Sequence, residues 1–494
     1  MNDLLLVPIA VVYLLVVVAL FAYGLNFFHL AWRAHRERSD LTQSASAQLS
    51  RLPPVTVQLP IFNERYVARR LIEAAAALDY PSHLLEIQAL DDSTDDTFSI
   101  VKEAVERLRG AGMNIEHLHR TDRRGFKAGA LAEGMKTARG EFLLILDADF
   151  VPPPDFLKRV LPRFDNDRVA FVQARWGHLN RDYSLLTFLQ SLSIDAHFAV
   201  EQLARSRFGY WFNFNGTAGV WRKSAIEDAG GWRAETLTED LDLSYRAFLR
   251  GWEARYAGDI VVPAELPVSM TAYRRQQHRW ARGSLECAIR YASAVWRVDA
   301  PLARRIEAIL HLTGYCVHLF LFALSILYPF VLLLSVRYPA LISLFGIAAL
   351  FNFTALAPTT FFMVAQHSLG GKWLKTLPAV LFASVFGAGM MLNTLRAALQ
   401  IGLGRKAAFE RTPKYGITQR GQGWNHRRYH VRVDAIVILE LLMALVNLYT
   451  AFLALRLGNP LIGIYAAIFA LGLLFVSGFT VLQSLAVRPA ASTP

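Results

Sequence analysis

Phe142-Leu143-Leu144-Ile145-Leu146-Asp147-Ala148-Asp149 is an apolar run that stops on two acids separated by one residue. Five large apolar residues in a row suit a strand buried on both faces, as in a parallel sheet between helix layers. Alternation along extended chain puts Asp147 and Asp149 on one side of the backbone, where both carboxylates can address one divalent cation. Taken alone, the same residues also describe a turn. The surrounding segments favour the strand. Val55 to Leu59 reads as a first strand, Leu85 to Leu90 as a second that delivers Asp91-Asp92-Ser93, and Ile115 to Leu118 as a third. Helical stretches separate them at Glu64 to Leu78, Asp95 to Leu108 and Lys127 to Ala138, the last stopped at Gly140. This alternation from Pro53 to Val262 predicts an α/β domain, a mostly parallel sheet with helices on both faces. Ligands of such sheets bind beyond the carboxyl ends of the strands, so both acidic clusters are expected in one crevice.

Two further clusters follow, Thr238-Glu239-Asp240 and Gln276-Gln277-His278-Arg279-Trp280. Each signal has a plainer reading. Asp-Asp-Ser-Thr after a strand is a common helix cap, Thr238 would cap a solvated helix through Leu241 to Leu249, and Arg279-Trp280 would be a packed aromatic beside a surface cation. Four such signals, each once, in order and on one predicted domain, favour a shared site. Bunched acids are costly unless a cation or a proton-transfer task balances them. An arginine and an aromatic ring supply what a diphosphate and a sugar need.

The chain has 494 residues, 54% of them hydrophobic, and carries 52 basic against 40 acidic residues for a net charge of +12. Its mean hydropathy of +0.28, with a visibly charged middle, implies a soluble domain joined to membrane helices. The basic excess lies mostly beside apolar segments, which points to cytoplasmic loops and not to nucleic acid. Two cysteines, Cys287 and Cys316, support neither a disulfide framework nor a zinc site; no GxxxxGK or HExxH motif occurs, and the histidines form no evident ligand set. Leu4 to Trp32 reads as a retained anchor, and Arg33, Arg36 and Arg38 after it place the following domain in the cytosol. Ile306 to Val336, Ala340 to Ala365, Ala435 to Leu455 and Leu461 to Leu482 are expected to cross as well. Leu377 to Gln400 is flanked by Lys372 and Lys375 on one side and by Arg405, Lys406 and Arg411 on the other. It is therefore expected to lie in the interface, with Asn393, Arg396 and Gln400 on its polar face. The expected organisation is an anchor (1–48), a cytosolic domain (49–300) and a helical bundle (301–494) with an interface helix (about 377–401) and a cytosolic loop (about 402–433). Glu440, inside an apolar segment, is a candidate pore-lining acid.

Together, Asp91-Asp92-Ser93, Lys127-Ala128-Gly129, Asp147-Ala148-Asp149, Phe214-Asn215-Gly216-Thr217-Ala218-Gly219, Thr238-Glu239-Asp240, Gln276 to Trp280 and Phe409 to Lys414 resemble the family-2 glycosyltransferases. The similarity is to the membrane-embedded cellulose synthase-like branch, and most of all to plant-type mannan and glucan synthases. The resemblance implies a GT-A type nucleotide-sugar domain plus an α-helical transmembrane bundle. It implies an inverting, processive β-glycosyltransferase that takes hexose from GDP-mannose or UDP-glucose and extrudes a β-linked polysaccharide. A lipid glycosyltransferase acting on ceramide or diacylglycerol is the alternative. By this resemblance Glu64, Asp92, Lys127, Asp147, Arg279, Thr412 and Lys414 bind the nucleotide sugar. Asp147 and Asp149 hold Mg²⁺ or Mn²⁺, Asp240 is the catalytic base, and Asn215, Gln276 and Trp280 meet the acceptor. Phe409 to Lys414 would be a gating loop, departing from the cellulose synthase form by Arg411 before Thr412 and Pro413 after it. A multi-pass protein among lipids of a bacterial inner, Golgi or plasma membrane is implied.

Overall fold

The computed structural model describes residues 6–41, 51–338, 351–405, 409–429 and 433–486. A seven-stranded sheet runs in the order β3-β2-β1-β4-β6-β5-β7, formed by β1 (Val55–Ile61), β2 (Leu85–Asp91), β3 (Ile115–His119), β4 (Phe142–Ile145), β5 (Val169–His178), β6 (Gly219–Arg222) and β7 (Glu253–Ala264). The first four strands pair in parallel. The opening apolar run shows why. Phe142 and Leu144 of β4 enter the core on one face of the sheet, while Leu143 and Ile145 enter a second core on the other, so no position can be polar. The expected strands and their connecting helices are all present, as α2 (Ala68–Ala76), α3 (Thr97–Gly110) and α4 (Phe126–Thr137), following the N-terminal α1 (Leu6–Arg36).

The second half of the sheet is mixed. β6 is antiparallel to both β4 and β5, with Gly219 opposite Ile145 and Gln173. This reversal brings the start of β6, and the loop Asn215 to Ala218 before it, over the carboxyl end of β4. Gln173 of β5, fully buried, pins that loop: its Oε1 accepts from the Asn215 N–H (2.8 Å) and its Nε2 donates to the carbonyls of Thr217 (3.1 Å) and Ala218 (3.2 Å).

Later helices include α5 (Leu185–Ala196), α6 (Glu239–Leu249), α7 (Met270–Arg297), α8 (Cys316–Arg337), α9 (Ala357–Ser368), α10 (Trp373–Gly389), α11 (Met391–Gly402), α12 (Ile436–Arg456) and α13 (Pro460–Ala486). Among the described residues, five segments are long and apolar enough to cross a membrane: Pro8–Arg36, Cys316–Arg337, Trp373–Gly402, Ile436–Arg456 and Pro460–Ala486. Of the stretch expected to cross at Ala340 to Ala365, residues up to 350 lie outside the described residues; the remainder is a short turn leading into α9.

The segment from 377 to 400 departs from the single helix expected of it. It is two helices that break at Met390. A Cβ on Gly389 would stand 2.3 Å from the Gly472 carbonyl, so the chain turns where α10 touches the backbone of α13. The polar stripe of α11 has a partner inside the protein. Asn393 donates to the Arg274 carbonyl of α7 (3.0 Å), and Gln400 accepts from Arg282 (3.3 Å). Glu440 of α12 is likewise no wall of a wet path: it is fully buried and accepts a charge-assisted hydrogen bond from Arg274 (2.7 Å), which reaches Thr480 of α13 as well.

Gln173→Leu keeps the side-chain volume but strands the Asn215 N–H and the Thr217 carbonyl, a cost of about 1–3 kcal/mol. The expected outcome is a lower Tm for the detergent-solubilised protein than for the exposed control Glu133→Gln. Equal melting of the two would remove the pinning role.

Candidate active site

The carboxyl ends of β1, β2 and β4, the loop before β6, the first turns of α4 and α6, and α7 all open on one cleft. Its lining includes every residue expected to meet donor, acceptor or metal or to act as base: Glu64, Asp92, Lys127, Asp147, Asp149, Asn215, Asp240, Gln276, Arg279, Trp280, Thr412 and Lys414. Asp91 is the exception to the paired-cluster expectation. It ends β2 with its side chain on the opposite side from Asp92, fully buried, because neighbours on extended chain point apart.

Lys127, in the first turn of α4, organises the acids. Its Nζ stands 2.6 Å from Asp147 Oδ1 and 3.6 Å from Glu239, and donates to the Gly216 carbonyl at 2.9 Å. Burial opposes its charge, yet Asp147 and Glu239 outweigh that and raise its pKa. Burial also raises Asp147, with Lys127 pulling the other way. Asp240 is pushed up to about 7, first by burial and then by the charge of Glu239, while Lys127 opposes both. Gly216 is what allows Asp240 so near. Its φ is +81°, and a Cβ there would lie 2.9 Å from Asp240 Oδ2 and 3.3 Å from Lys127 Nζ.

Each remaining acid also meets a base. Asp92 receives both arms of Arg120, at 2.7 and 2.6 Å. Glu64 pairs with Arg411 at 3.1 Å, but burial dominates and pushes it up to about 8. Asp149 accepts from Lys414 Nζ at 2.7 Å and from the Glu265 N–H at 3.2 Å. The loop from Phe409 to Lys414 therefore reaches into the acidic floor. Its start is held by α7: Arg279 lies over the Phe409 ring (4.7 Å to the centroid) and donates to the Glu410 carbonyl (3.0 Å), and Arg275 pairs with Glu410.

Two expectations change in detail. Thr238 precedes α6, but its side chain makes no cap hydrogen bond and the helix after it is largely buried, so the solvated-helix reading fails. Asn215 lines the cleft, yet its amide is engaged inward, accepting from Gln202 (2.6 Å) and meeting His197 Nε2 (2.9 Å). Both partners sit on the π-helical turn His197–Gln202 that extends α5. Arg120 was not foreseen, and Glu239 and Gly216 were quoted within their motifs without a role of their own. Arg120 had one available signal, since it follows β3 just as Asp92 follows β2. The two carboxylates at the end of β4 are hard oxygen donors two residues apart, which suits Mg²⁺ or Mn²⁺, and the ammonium groups of Lys127 and Lys414 beside them mark a place that calls for positive charge.

Residues 53–283 match the family described as glycosyltransferase like family 2. Glucomannan 4-beta-mannosyltransferase 2 of Arabidopsis thaliana is 49% identical over 239 residues, covering 47% of this chain and 45% of its own. Glucomannan 4-beta-mannosyltransferase 1 of Oryza sativa subsp. japonica is 48% identical over 242 residues, covering 47% and 46%. The chain thus spans slightly under half the length of these curated relatives. Among solved structures, the mannosyltransferase PcManGT from Pyrobaculum calidifontis, in complex with GDP-Man and Mn²⁺, shares the fold with a TM-score of 0.50 at 21% identity, over 80% of this chain and 100% of that one. Residues 53–283, with the acids of the cleft among them, thus match a family-2 glycosyltransferase domain.

Proposed function

We propose that this protein is an inverting membrane β-glycosyltransferase that transfers mannose from GDP-mannose to the end of a β-linked polysaccharide. One observation carries the reading: Asp92, Lys127, Asp147, Asp149, Asp240, Arg279 and Trp280 line one cleft, and α7, which carries Arg279 and Trp280, is tied by Arg274 to Glu440 of the helical bundle. The choice of mannose rests on the relatives, at 48–49% identity, whose names specify 4-beta-mannosyl transfer.

In this reading Asp92 with Arg120, Glu64 and Lys127 hold the nucleotide end of the donor, and Asp147 and Asp149 hold Mg²⁺ or Mn²⁺. When bound, that ion neutralises the diphosphate as it leaves. Asp240 accepts the proton of the acceptor hydroxyl, whose oxygen attacks the anomeric carbon as the bond to the diphosphate oxygen breaks. A single displacement inverts the anomeric centre. Arg279 faces the departing charge, Trp280 and Gln276 flank the terminal sugar, and Asn215 keeps its neighbour Gly216 close to Asp240. Thr412 and Lys414 close over the diphosphate from the loop. The basic last turn of α1, with Arg33, His35 and Arg36, supports a cytosolic position for this domain. We assign α11 to the cytosolic interface, the new chain being extruded through the bundle.

Asp240→Asn removes the base without changing shape and is expected to lower kcat by about 10²–10⁴-fold. The assay follows radiolabelled mannose from GDP-mannose into alcohol-insoluble polymer in membranes. Undiminished turnover in the variant would refute the assignment of the base, and label confined to organic-soluble glycolipid would replace the polysaccharide acceptor with a lipid.

The base works only as a carboxylate. With its pKa pushed up to about 7, the wild-type rate should rise about tenfold per pH unit below the inflection and level off above it. A cation nearby draws the inflection to or below about 7. A rate that falls as pH rises from 5 to 7 contradicts this role.

A further inference from the structure

Behind the cleft, on the outer edge of the sheet, Asp91, His117 and His119 come together. Asp91 Oδ2 lies 2.9 Å from His117 Nε2 and 3.6 Å from His119 Nδ1, and the three ligand atoms all fall within 4.8 Å of one another. No motif announced this set, because two ligands alternate along β3 and the third comes from β2 across the ladder, where His119 pairs with Asp91.

We propose that these three residues form a binding site for a borderline transition-metal ion of the Zn²⁺ class, separate from the hard-cation site of Asp147 and Asp149. The donor chemistry is two imidazole nitrogens and one carboxylate oxygen, a set that takes Zn²⁺, Co²⁺, Ni²⁺ or Cu²⁺ in preference to Mg²⁺. Ligands about 2.0–2.1 Å from a tetrahedral ion stand roughly 3.3–3.4 Å apart, and the two measured separations bracket that value. The carboxylate is already oriented. Asp91 Oδ1 accepts from the Ser93 N–H at 2.8 Å, which leaves Oδ2 for both histidines. Phe98 packs against both rings, at 5.2 and 4.7 Å between centroids.

A simple buried Asp–His hydrogen bond accounts for His117 alone. His119, at 3.6 Å, makes no hydrogen bond to Asp91, and its side chain is 29% exposed against 12% for His117 and none for Asp91. The site therefore has a closed floor and an open side, as a three-residue set needs if water is to complete four-coordination. Its place in the fold gives it a consequence. Asp91 and His119 are the chain neighbours of Asp92 and Arg120, the pair at the rim of the cleft. An ion bridging Asp91 and His119 clips together the two strand ends that carry that pair.

The test uses untagged full-length protein in detergent, stripped with a chelator, in the Asp147→Asn/Asp149→Asn background so that the other cation site is silent. Titration with Co²⁺ is expected to give visible d–d bands of a nitrogen-containing four- or five-coordinate ion at one equivalent. Zn²⁺ should displace them and raise Tm. His119→Gln, at a partly exposed position, should weaken Co²⁺ binding at least tenfold and abolish the Zn²⁺-dependent rise in Tm while leaving the metal-free Tm unchanged. Absence of the bands, or bands of equal affinity in His119→Gln, overturns the proposal. Neither result bears on Asp240 or on glycosyl transfer.

Discussion

The ammonium of Lys127 is the constraint on which the cleft depends. Asp147, Glu239 and Asp240 are gathered from the end of β4 and the first turn of α6 into one partly dehydrated space. Two like charges about 4 Å apart at an effective dielectric near 20 repel by roughly 4 kcal/mol. A cation placed among them offsets that repulsion, and its position is set by backbone: Nζ is tethered to the Gly216 carbonyl, so it cannot swing out to water without losing that bond. The same logic repeats at the rim. Arg120 holds Asp92, Arg411 holds Glu64 and Lys414 holds Asp149, each acid keeping a base until a ligand offers better charge.

The first half of this arrangement could be read from the chain because local rules and the fold agree there. An apolar run without alternation demands burial on both faces, and an acid directly after it has nowhere to go but the strand end. That is why β1, β2, β4 and the positions of Asp92, Asp147 and Asp149 were legible. β6 was not. Its four residues are short, and nothing in Gly219 to Arg222 declares that the strand runs backwards between β4 and β5. Yet that reversal delivers Gly216 to Asp240. The histidines beside Asp91 were missed for a related reason: pairing across a ladder leaves no spacing in the sequence, so a ligand set shared by two strands looks like scattered residues.

In the membrane half, the sequence reading left open which partner a polar pattern would meet. Asn393, Arg396 and Gln400 recur at helical spacing, which is the signature of a helix lying at a water-facing surface. Asn393 and Gln400 instead meet α7. Glu440 made the same demand for a partner, and Arg274 answers it inside the protein. Hydropathy registers that a polar group needs satisfying; only the fold decides whether water, lipid or a second helix does so.

This matching explains how cleft and bundle are joined. Along α7, Arg274, His278 and Arg282 recur every fourth residue on one face, and α11 contacts Arg274 and Arg282 through Asn393 and Gln400. The intervening Gln276, Arg279 and Trp280 fall on a different face and line the cleft. One helix thus carries both the anchoring residues and residues that line the cleft. Any tilt of α11 or α12 that moves Arg274 must move Arg279 and Trp280 with it, and Arg279 passes the displacement on to Phe409 and Glu410 at the head of the loop. The loop and the Arg279–Trp280 side of the cleft are thus held through one helix, α7, packed against the bundle.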